Sequence, residues 1–458
     1  MIRNKVNTLR NLIVGVNTSI PLISGQSVRA INFDNAATTP PFKSVMNAVN
    51  NFSPWYSSIH RGAGYKSVIS SVRYEQARKT IGEFVGADPD LDAIIFVKNT
   101  TEALNKLSYR LYEQCSDCVI LSTLMEHHSN DLPWRENYHI DYIAIDELGR
   151  LSLEDLEMKL KCYSGRVKLV TITGASNVTG HINPINEIAD LTHRYGAKLL
   201  VDGAQLVPHA EVNMKSHSDI EHIDFLVFSA HKMYAPFGSG VLIGPRNYFE
   251  KGSPDLKGGG TVKIVTKDIV LWDDPPHKDE AGTPNLMGVI ALDAAIKTLK
   301  KIGMKKIEDY ERYLTQYALK RLIKLEDIEI YGDYIQSENK VSIITFNIKG
   351  IPHDIVANYL SLECGIAVRN GCFCAQPYVQ KLLHVTTNEI MNHIKNPNKP
   401  HPGMVRMSFG LYNTIDEIDD MINALEELIT HRSYYLEKYE HLMDSISSRT
   451  FNPLKDGD

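Results

Sequence analysis

Between residues 90 and 245, short apolar runs alternate with stretches whose apolar positions recur at helical spacing. The runs at 93–97, 118–121, 139–145, 168–173, 198–201, 225–228 and 240–243 predict seven strands. Helical patterns at 102–115, 153–161 and 185–195 lie between several of them, the last stopped by Gly196. Strands alternating with helices predict an α/β large domain, its mostly parallel sheet covered by helices on both faces. Ligands of such sheets bind beyond the carboxyl ends of the strands. The polar residues expected there are Thr100 and Thr101, Glu126-His127-His128, Asn177, Asp202 with Gln205, and Ser229-Ala230-His231-Lys232.

Gly- and Pro-rich stretches at 252–260 and 273–284 interrupt this rhythm. The pattern is then helical over 286–325, with an amphipathic run at 307–325, strand-like at 341–348, helical at 355–362, strand-like at 405–409 and helical again over 414–442. This predicts a smaller α+β domain at the C-terminal end. The expected division is an N-terminal helix and loop over 1–30, packing on the small domain or on a partner, a large domain over 31–290 and a small one over 291–458. The polar tail after Thr450 is expected to fray.

At 458 residues and 43% hydrophobic, the chain is long enough for two or three domains of ~150 residues. A net charge of -6 argues against nucleic acid or an anionic membrane as the main partner. No apolar run approaches the ~18 residues of a membrane span. Arg3, Lys5 and Arg10 precede a weakly apolar stretch that resembles a signal peptide, but Asn11, Asn17, Thr18, Ser19 and Pro21 interrupt it, so the expected location is cytoplasmic.

Six cysteines are too few for a disulfide framework in a chain this long. Cys115 and Cys118 form a C-x2-C pair, and Cys372 and Cys374 a C-x-C pair with Cys364 upstream. A zinc site built from both pairs is one reading. The plainer one makes Cys118 a small buried hydrophobe opening the run Val119-Ile120-Leu121.

Lys232 follows by thirty residues Asp202, which ends the apolar run Leu199-Leu200-Val201. A lysine can form an imine with an aldehyde cofactor, and a carboxylate can keep a pyridine nitrogen protonated; pyridoxal phosphate needs both. Taken alone, the lysine could equally snorkel at the surface and the aspartate cap a helix.

Several segments together go further. They are Phe33-Asp34-Asn35-Ala36-Ala37-Thr38-Thr39, Ile59-His60-Arg61-Gly62, Asn99-Thr100-Thr101-Glu102, Met125-Glu126-His127-His128-Ser129-Asn130 and Ser176-Asn177-Val178-Thr179-Gly180. Val201-Asp202-Gly203-Ala204-Gln205, Ser229-Ala230-His231-Lys232, Ala281-Gly282-Thr283-Pro284-Asn285 and Val368-Arg369-Asn370-Gly371-Cys372-Phe373-Cys374-Ala375 follow, with Arg406 beyond. In this order the chain resembles the class V, fold-type I pyridoxal-phosphate enzymes, within them the cysteine desulfurase/selenocysteine lyase group of the Suf type.

The resemblance implies a role for each matched residue. Lys232 is the imine lysine and proton carrier, and Asp202 the partner of the pyridinium nitrogen. Gln205 and Asn177 contact the edge of the ring that carries the phenolic oxygen, and His127 stacks on its face and assists proton transfer as a third catalytic residue. Thr100, Thr101, Ser229 and His231 bind the phosphate, helped by the helix start at Thr100. Thr283 is donated by a neighbouring subunit, which implies a homodimer with its active site at the interface. Arg406 binds the substrate carboxylate, Arg369 is a second cation beside the cysteine loop, and Asn35, His60 and Arg61 belong to the substrate side or the entrance. Cys374, five residues after Arg369, attacks the substrate sulfur as a thiolate.

Two features depart from the family pattern. Cys372 stands where a histidine or another polar residue is common, so it can resolve a persulfide, pair with Cys374 or fill space. The basic, Pro-rich stretch 392–403 is long and can shape the entrance or a sulfur-acceptor surface. The expected activity is therefore removal of sulfur or selenium from L-cysteine or L-selenocysteine, giving L-alanine, with a sulfur-acceptor protein as a further partner, as in iron–sulfur cluster assembly. No metal is expected at the site. The alternatives are another class V reaction (aminotransfer, epimerisation or β-elimination on a different amino acid) and, from a different class, a metal-binding sulfur carrier or scaffold.

Overall fold

The computed structural model describes residues 8–115, 117–335, 337–396 and 401–446. The readings placed on Arg3 and Lys5, on 397–400 within the Pro-rich stretch, and on the tail after Thr450 lie outside the described residues.

The seven predicted strands are β1 (Asp92–Val97), β2 (Val119–Thr123), β3 (His139–Ile143), β4 (Val167–Thr173), β5 (Lys198–Asp202), β6 (Phe225–Ser229) and β7 (Gly240–Pro245). They form one sheet in the order β1-β7-β6-β5-β4-β2-β3. Only β7 runs antiparallel, to β1 on one side and β6 on the other. Every residue of β1, β2, β6 and β7 is buried, as a sheet covered on both faces requires. The α/β reading is therefore met, and the carboxyl ends of the parallel strands point to one edge.

Four antiparallel strands make a second sheet: β8 (Ile328–Tyr331), β9 (Ile343–Ile348), β10 (Arg369–Gly371) and β11 (Met404–Ser408), in the order β8-β9-β11-β10. Helices His353–Cys364 and Ile415–Thr430 cover it, and Phe346, Val356, Val405 and Leu425 are wholly buried in its core. The helical stretch predicted over 286–325 is two helices, Leu286–Ile302 and Met304–Leu322, separated at Gly303, whose φ of 95° suits glycine. Val289, Ile296 and Leu299 of the first helix belong to the large sheet's core, so a boundary at 290 passes through an element that packs with the large unit. Conversely, Ile31 and Phe33 are buried in the core of the second sheet.

The segment before Ile31 ties the chain together. Arg10 and Glu417 form a buried ion pair at 2.6 Å. A ribbon of Ser19–Pro21 and Ser27–Arg29 precedes Ile31–Asn32, which pairs in parallel with Ile366–Ala367. Cys115 and Cys118 are joined as a disulfide, which removes both as zinc ligands, while Cys118 is buried as expected of a small hydrophobe. Among the described residues no helix is long and apolar enough to cross a membrane.

Candidate active site

The carboxyl edge of the large sheet and the β10–β11 edge of the small one face each other across a cavity of about 440 Å³, within the size range of a cofactor site. Twelve of the residues singled out from the sequence line it: Thr100, Thr101, His127, Asn177, Asp202, Gln205, Ser229, His231, Lys232, Arg369, Cys374 and Arg406. They come from segments up to 306 positions apart, Thr100 to Arg406.

Lys232 ends a single 3-10 turn, Ala230–Lys232, that follows β6 directly. Its Nζ has no hydrogen-bond partner among the described residues. Burial lowers its ammonium to about 8; Asp202 opposes that shift and Arg406 adds to it. Asp202 is the last residue of β5 and is buried, 4% exposed. Burial raises its carboxyl, opposed by the Ala204 N–H on Oδ1 at 3.0 Å and by Lys232.

Gln205 donates Nε2 to the carbonyl of Ala36 at 2.7 Å, and its Oε1 is buried without a partner. The amide therefore offers the cavity an acceptor rather than the donor a phenolate would take. The orientation follows from the Ala36 bond.

His127 accepts the backbone N–H of Ser129 on Nδ1 at 3.1 Å, which leaves the hydrogen on Nε2. Burial, then the charges of Lys232, His128 and Arg406, lower its pKa to about 4, so the ring is neutral at pH 7. The preceding residue, Glu126, is buried and accepts from Thr123, Asn130 and the Thr173 N–H. Burial nevertheless pushes its carboxyl up to about 8.

At one end of the cavity the helix Thr100–Gln114 begins, its Asn99 cap accepting from the Glu102 N–H. The Thr100 N–H donates to Ser229 Oγ at 2.8 Å, and the Thr101 and Ser129 hydroxyls meet at 2.7 Å. Hydroxyls and the positive dipole end of the helix gather here, the arrangement that suits an anion. Ser129, which has no signal of its own in the sequence, lines the cavity with them. Burial and the neighbouring Lys232 lower His231 to about 4.

The small sheet supplies the other wall. Arg369 and Arg406 are directly opposite each other on β10 and β11. Both are held by Asp34, whose Oδ1 meets Arg406 at 3.1 Å and whose Oδ2 meets Arg369 at 3.2 Å. Arg406 is 3% exposed, donates to the Asn177 carbonyl at 2.9 Å and lies over the Phe373 ring, its Nε unpartnered. Burial lowers it to about 10, opposed by Asp34. Asn177 Nδ2 donates to the Phe373 carbonyl at 2.7 Å, so this asparagine braces the cysteine loop.

The loop is sharply turned. Phe373 and Cys374 both sit in the left-handed region, with φ of 53° and 54°. That turn presents Cys374 to the cavity as an exposed free thiol. Cys372 points elsewhere: it is half-buried against the core, and its thiol donates to the Pro402 carbonyl at 3.1 Å. Burial, then Cys374, raises its pKa.

Four expected residues do not line the cavity. Asn35 was expected on the substrate side, but its amide is used inside the protein: Nδ2 donates to the carbonyls of Asn32 and Ser408 and to Asn413, and Oδ1 accepts from Tyr412. Its neighbours Ala36 and Ala37 form the wall instead. His60 is exposed and paired with Glu75, and Arg61 donates to the Val262 carbonyl, so neither reaches the cavity of its own chain. Thr283 is exposed and likewise outside it.

The donor set fits a phosphate-bearing pyridine aldehyde. It combines hydroxyls at a helix start, a buried carboxylate and a partnerless amine in one cavity; Gln205 would meet a phenolate only with its amide turned away from Ala36.

Residues 31–421 match the aminotransferase class-V family. The chain is 38% identical over 406 residues to a probable cysteine desulfurase from Halalkalibacterium halodurans, covering 87% of this chain and 92% of that one. It is 33% identical over 404 residues to a cysteine desulfurase from Haloferax volcanii, covering 86% and 88%. Among solved structures, the apo cysteine desulfurase of Thermococcus onnurineus NA1 superposes with a TM-score of 0.79 at 33% identity, covering 88% of this chain and 95% of that one. A cysteine desulfurase from Escherichia coli, determined as an S-sulfonic acid, gives 0.74 at 28% identity, covering 88% and 95%.

Proposed function

The chain belongs to the aminotransferase class-V family, and from that premise we propose that it is a pyridoxal-phosphate cysteine desulfurase. It takes sulfur from L-cysteine, or selenium from L-selenocysteine, and releases L-alanine. The observation that carries this reading is the exposed thiol of Cys374 in the same cavity as Lys232, Asp202 and Arg406.

Thr100, Thr101, Ser229 and His231 would hold the cofactor's phosphate, Asp202 its pyridine nitrogen, and Gln205, Asn177 and His127 its ring. When bound, pyridoxal phosphate supplies the electron sink for heterolysis next to the substrate's amino carbon. The remaining work falls to the chain. Arg406 and Arg369 bind the substrate carboxylate in place of Asp34. Lys232, lowered to about 8, has a sizeable neutral fraction near neutral pH and takes the proton from the amino carbon. Cys374 Sγ attacks the substrate sulfur. The new S–S bond forms as the C–S bond breaks, and the electron pair leaves with carbon. Lys232 would return to the amino carbon the proton it took, and the proton Cys374 gives up as it ionises would go to the carbon that lost sulfur, with neutral His127 able to relay it by taking a proton on Nδ1 as it gives the one on Nε2. The product on the protein is a persulfide at Cys374, for an acceptor thiol or protein to collect.

Thr283, exposed on its own chain, would complete the phosphate site of a second copy, giving a homodimer. A division into a large and a small unit, with the helix Leu286–Ile302 in the large one, a sulfur-acceptor partner as in iron–sulfur assembly and a cytoplasmic location belong to the same reading. The test is stoichiometric: cofactor-loaded protein with L-cysteine and a thiol should yield alanine and sulfide one for one. Lys232→Ala should lose both products and the bound cofactor's visible absorbance. Products other than alanine, or a Lys232→Ala protein that keeps absorbance and activity, would overturn it.

A further inference from the structure

At the amino ends of β5 and β6, one strand length from Asp202, two imidazoles close on one carboxylate. We propose that His193, His222 and Asp224 bind a single divalent transition-metal ion, zinc above all.

The hydrogen bonds carry the argument. His193, at the end of the helix Ile185–Arg194, places Nδ1 at 2.5 Å from the Ile220 carbonyl. His222 places Nδ1 at 2.6 Å from the Asp219 carbonyl. A carbonyl only accepts, so each Nδ1 carries a hydrogen. Each Nε2 is then turned to Asp224, His193 to Oδ2 at 2.8 Å and His222 to Oδ1 at 3.4 Å. A bare ring nitrogen and a carboxylate oxygen come as close as His193 and Asp224 do only with a cation between them, and His222 stands where it would share that cation.

Two ring protons would supply that cation at a cost. The rings are stacked, with centroids 4.2 Å apart and planes 10° from parallel, so two imidazoliums would face each other at contact distance. One divalent ion replaces both protons and removes the like-charge stack. It also makes use of the two Nδ1–H bonds, the outer arrangement that orients metal-binding histidines.

The site is built and enclosed. The side chains of His193, His222 and Asp224 are 12%, 14% and 2% exposed. Their donor atoms lie within 4.8 Å of one another, against the about 3.3 Å spacing of a tetrahedral zinc with bonds of about 2.0–2.1 Å. Two imidazoles and a carboxylate select zinc, nickel or copper over magnesium or calcium, and water would take the fourth position. Asp224 Oδ2 also accepts the Leu199 N–H at 2.8 Å, which fixes the carboxylate. Lys198 sits on Oδ1 at 2.7 Å, but its side chain is 43% exposed and its ammonium can move into solvent. His217, stacked on His222 and held by Asp92, forms the rim. A second grouping, His60, Glu75 and His277, is more open, and Arg78 already sits on its carboxylate.

The experiment uses tag-free full-length protein, stripped with a chelator and titrated with zinc chloride at pH 7.5 against a chromophoric chelator. Protein with Cys162, Cys364, Cys372 and Cys374 all replaced by serine serves as the background, so that free thiols do not contribute. One zinc per chain is expected, with a rise in melting temperature. His193→Gln and His222→Gln should each weaken binding roughly 100-fold or more while circular dichroism stays native. Cobalt substitution should give tetrahedral visible bands that both variants lose. No tight zinc, or zinc and cobalt bands unchanged in both variants, would show that protons alone join these histidines to Asp224.

Discussion

His128 donates its backbone N–H to the carbonyl of Cys374 at 2.6 Å. The residue beside the cavity histidine thus pins the residue that carries the exposed thiol. With Asn177 on the Phe373 carbonyl, this bond holds the left-handed turn that separates the fates of two cysteines only two positions apart.

That separation predicts their reactivity. Cys374 is exposed, whereas Cys372 is half-buried, donates to Pro402 and has a raised pKa. Because the thiolate is the nucleophile, limited iodoacetamide should alkylate Cys374 about tenfold or more faster than Cys372, read by peptide mass spectrometry. Cys374→Ser should lower alanine formation from cysteine on the order of 100-fold or more, and Cys372→Ser should leave it within about threefold.

Lys232 makes a prediction about pH. Its folded value of about 8 lies below the ordinary 10.5 of a lysine. Between those values the unfolded chain binds more protons, so stability from this group rises with pH there; below about 8 the lysine is charged in both states and its burial penalty is complete. In cofactor-free protein, Lys232→Met should therefore be more stable at pH 7 by about 3 kcal/mol, and the gain should shrink toward pH 10. Urea unfolding at several pH values measures it. Since only the neutral amine attacks an aldehyde, the wild-type rate of pyridoxal phosphate loading should climb with pH and level off above about 8.

Asp34 holds two arginines that would otherwise repel across β10 and β11. Arg406 is buried and Arg369 is half exposed, so the uncompensated charge left by Asp34→Ala is chiefly that of Arg406. The expected loss is about 3 kcal/mol in urea unfolding. Asp34→Asn keeps an acceptor but removes the charge that competes with an incoming carboxylate. Its KM for cysteine should fall about threefold or more with kcat little changed.

Much of this was legible from sequence because buried parallel strands are short, apolar and evenly punctuated, and their carboxyl ends locate the polar residues. Other features lack a local signature. The helix Tyr65–Val85 buries Ser67, Ser70, Thr80 and Gly82 with only a few apolar residues, so its apolar period is faint. The strand Arg369–Gly371 is polar and depends on its neighbour for its form. Asn35 looks like a ligand-binding residue because its motif lines the cavity, yet its amide faces the partners that hold that motif in place. Asp34 meets Arg406 across 372 positions, and His193 meets Asp224 only once the helix Ile185–Arg194 is laid against β5 and β6. These pairings are properties of packing, which periodicity does not encode.

Gly240 tests how closely the large sheet sets the start of the helix Thr100–Gln114. It is the first residue of β7, opposite Ser229 and Val97. A Cβ placed there would lie 2.8 Å from Asn99 Cα and 3.0 Å from the Phe228 carbonyl oxygen, both backbone atoms that cannot swing aside. Asn99 caps the helix whose start, with the Thr100 hydroxyl, would hold the phosphate on the proposed reading. Gly240→Ala must therefore push the helix start away from Ser229 or distort β7, at a cost of about 1–3 kcal/mol. The helix start is the softer of the two, because β7 is held by strands on both sides. The variant should stay folded by circular dichroism and bind pyridoxal phosphate about tenfold more weakly by equilibrium dialysis. Gly258→Ala, where a Cβ meets nothing within 4 Å, should bind it like the wild type. Equal affinity in both variants would mean that the phosphate does not rest on this helix.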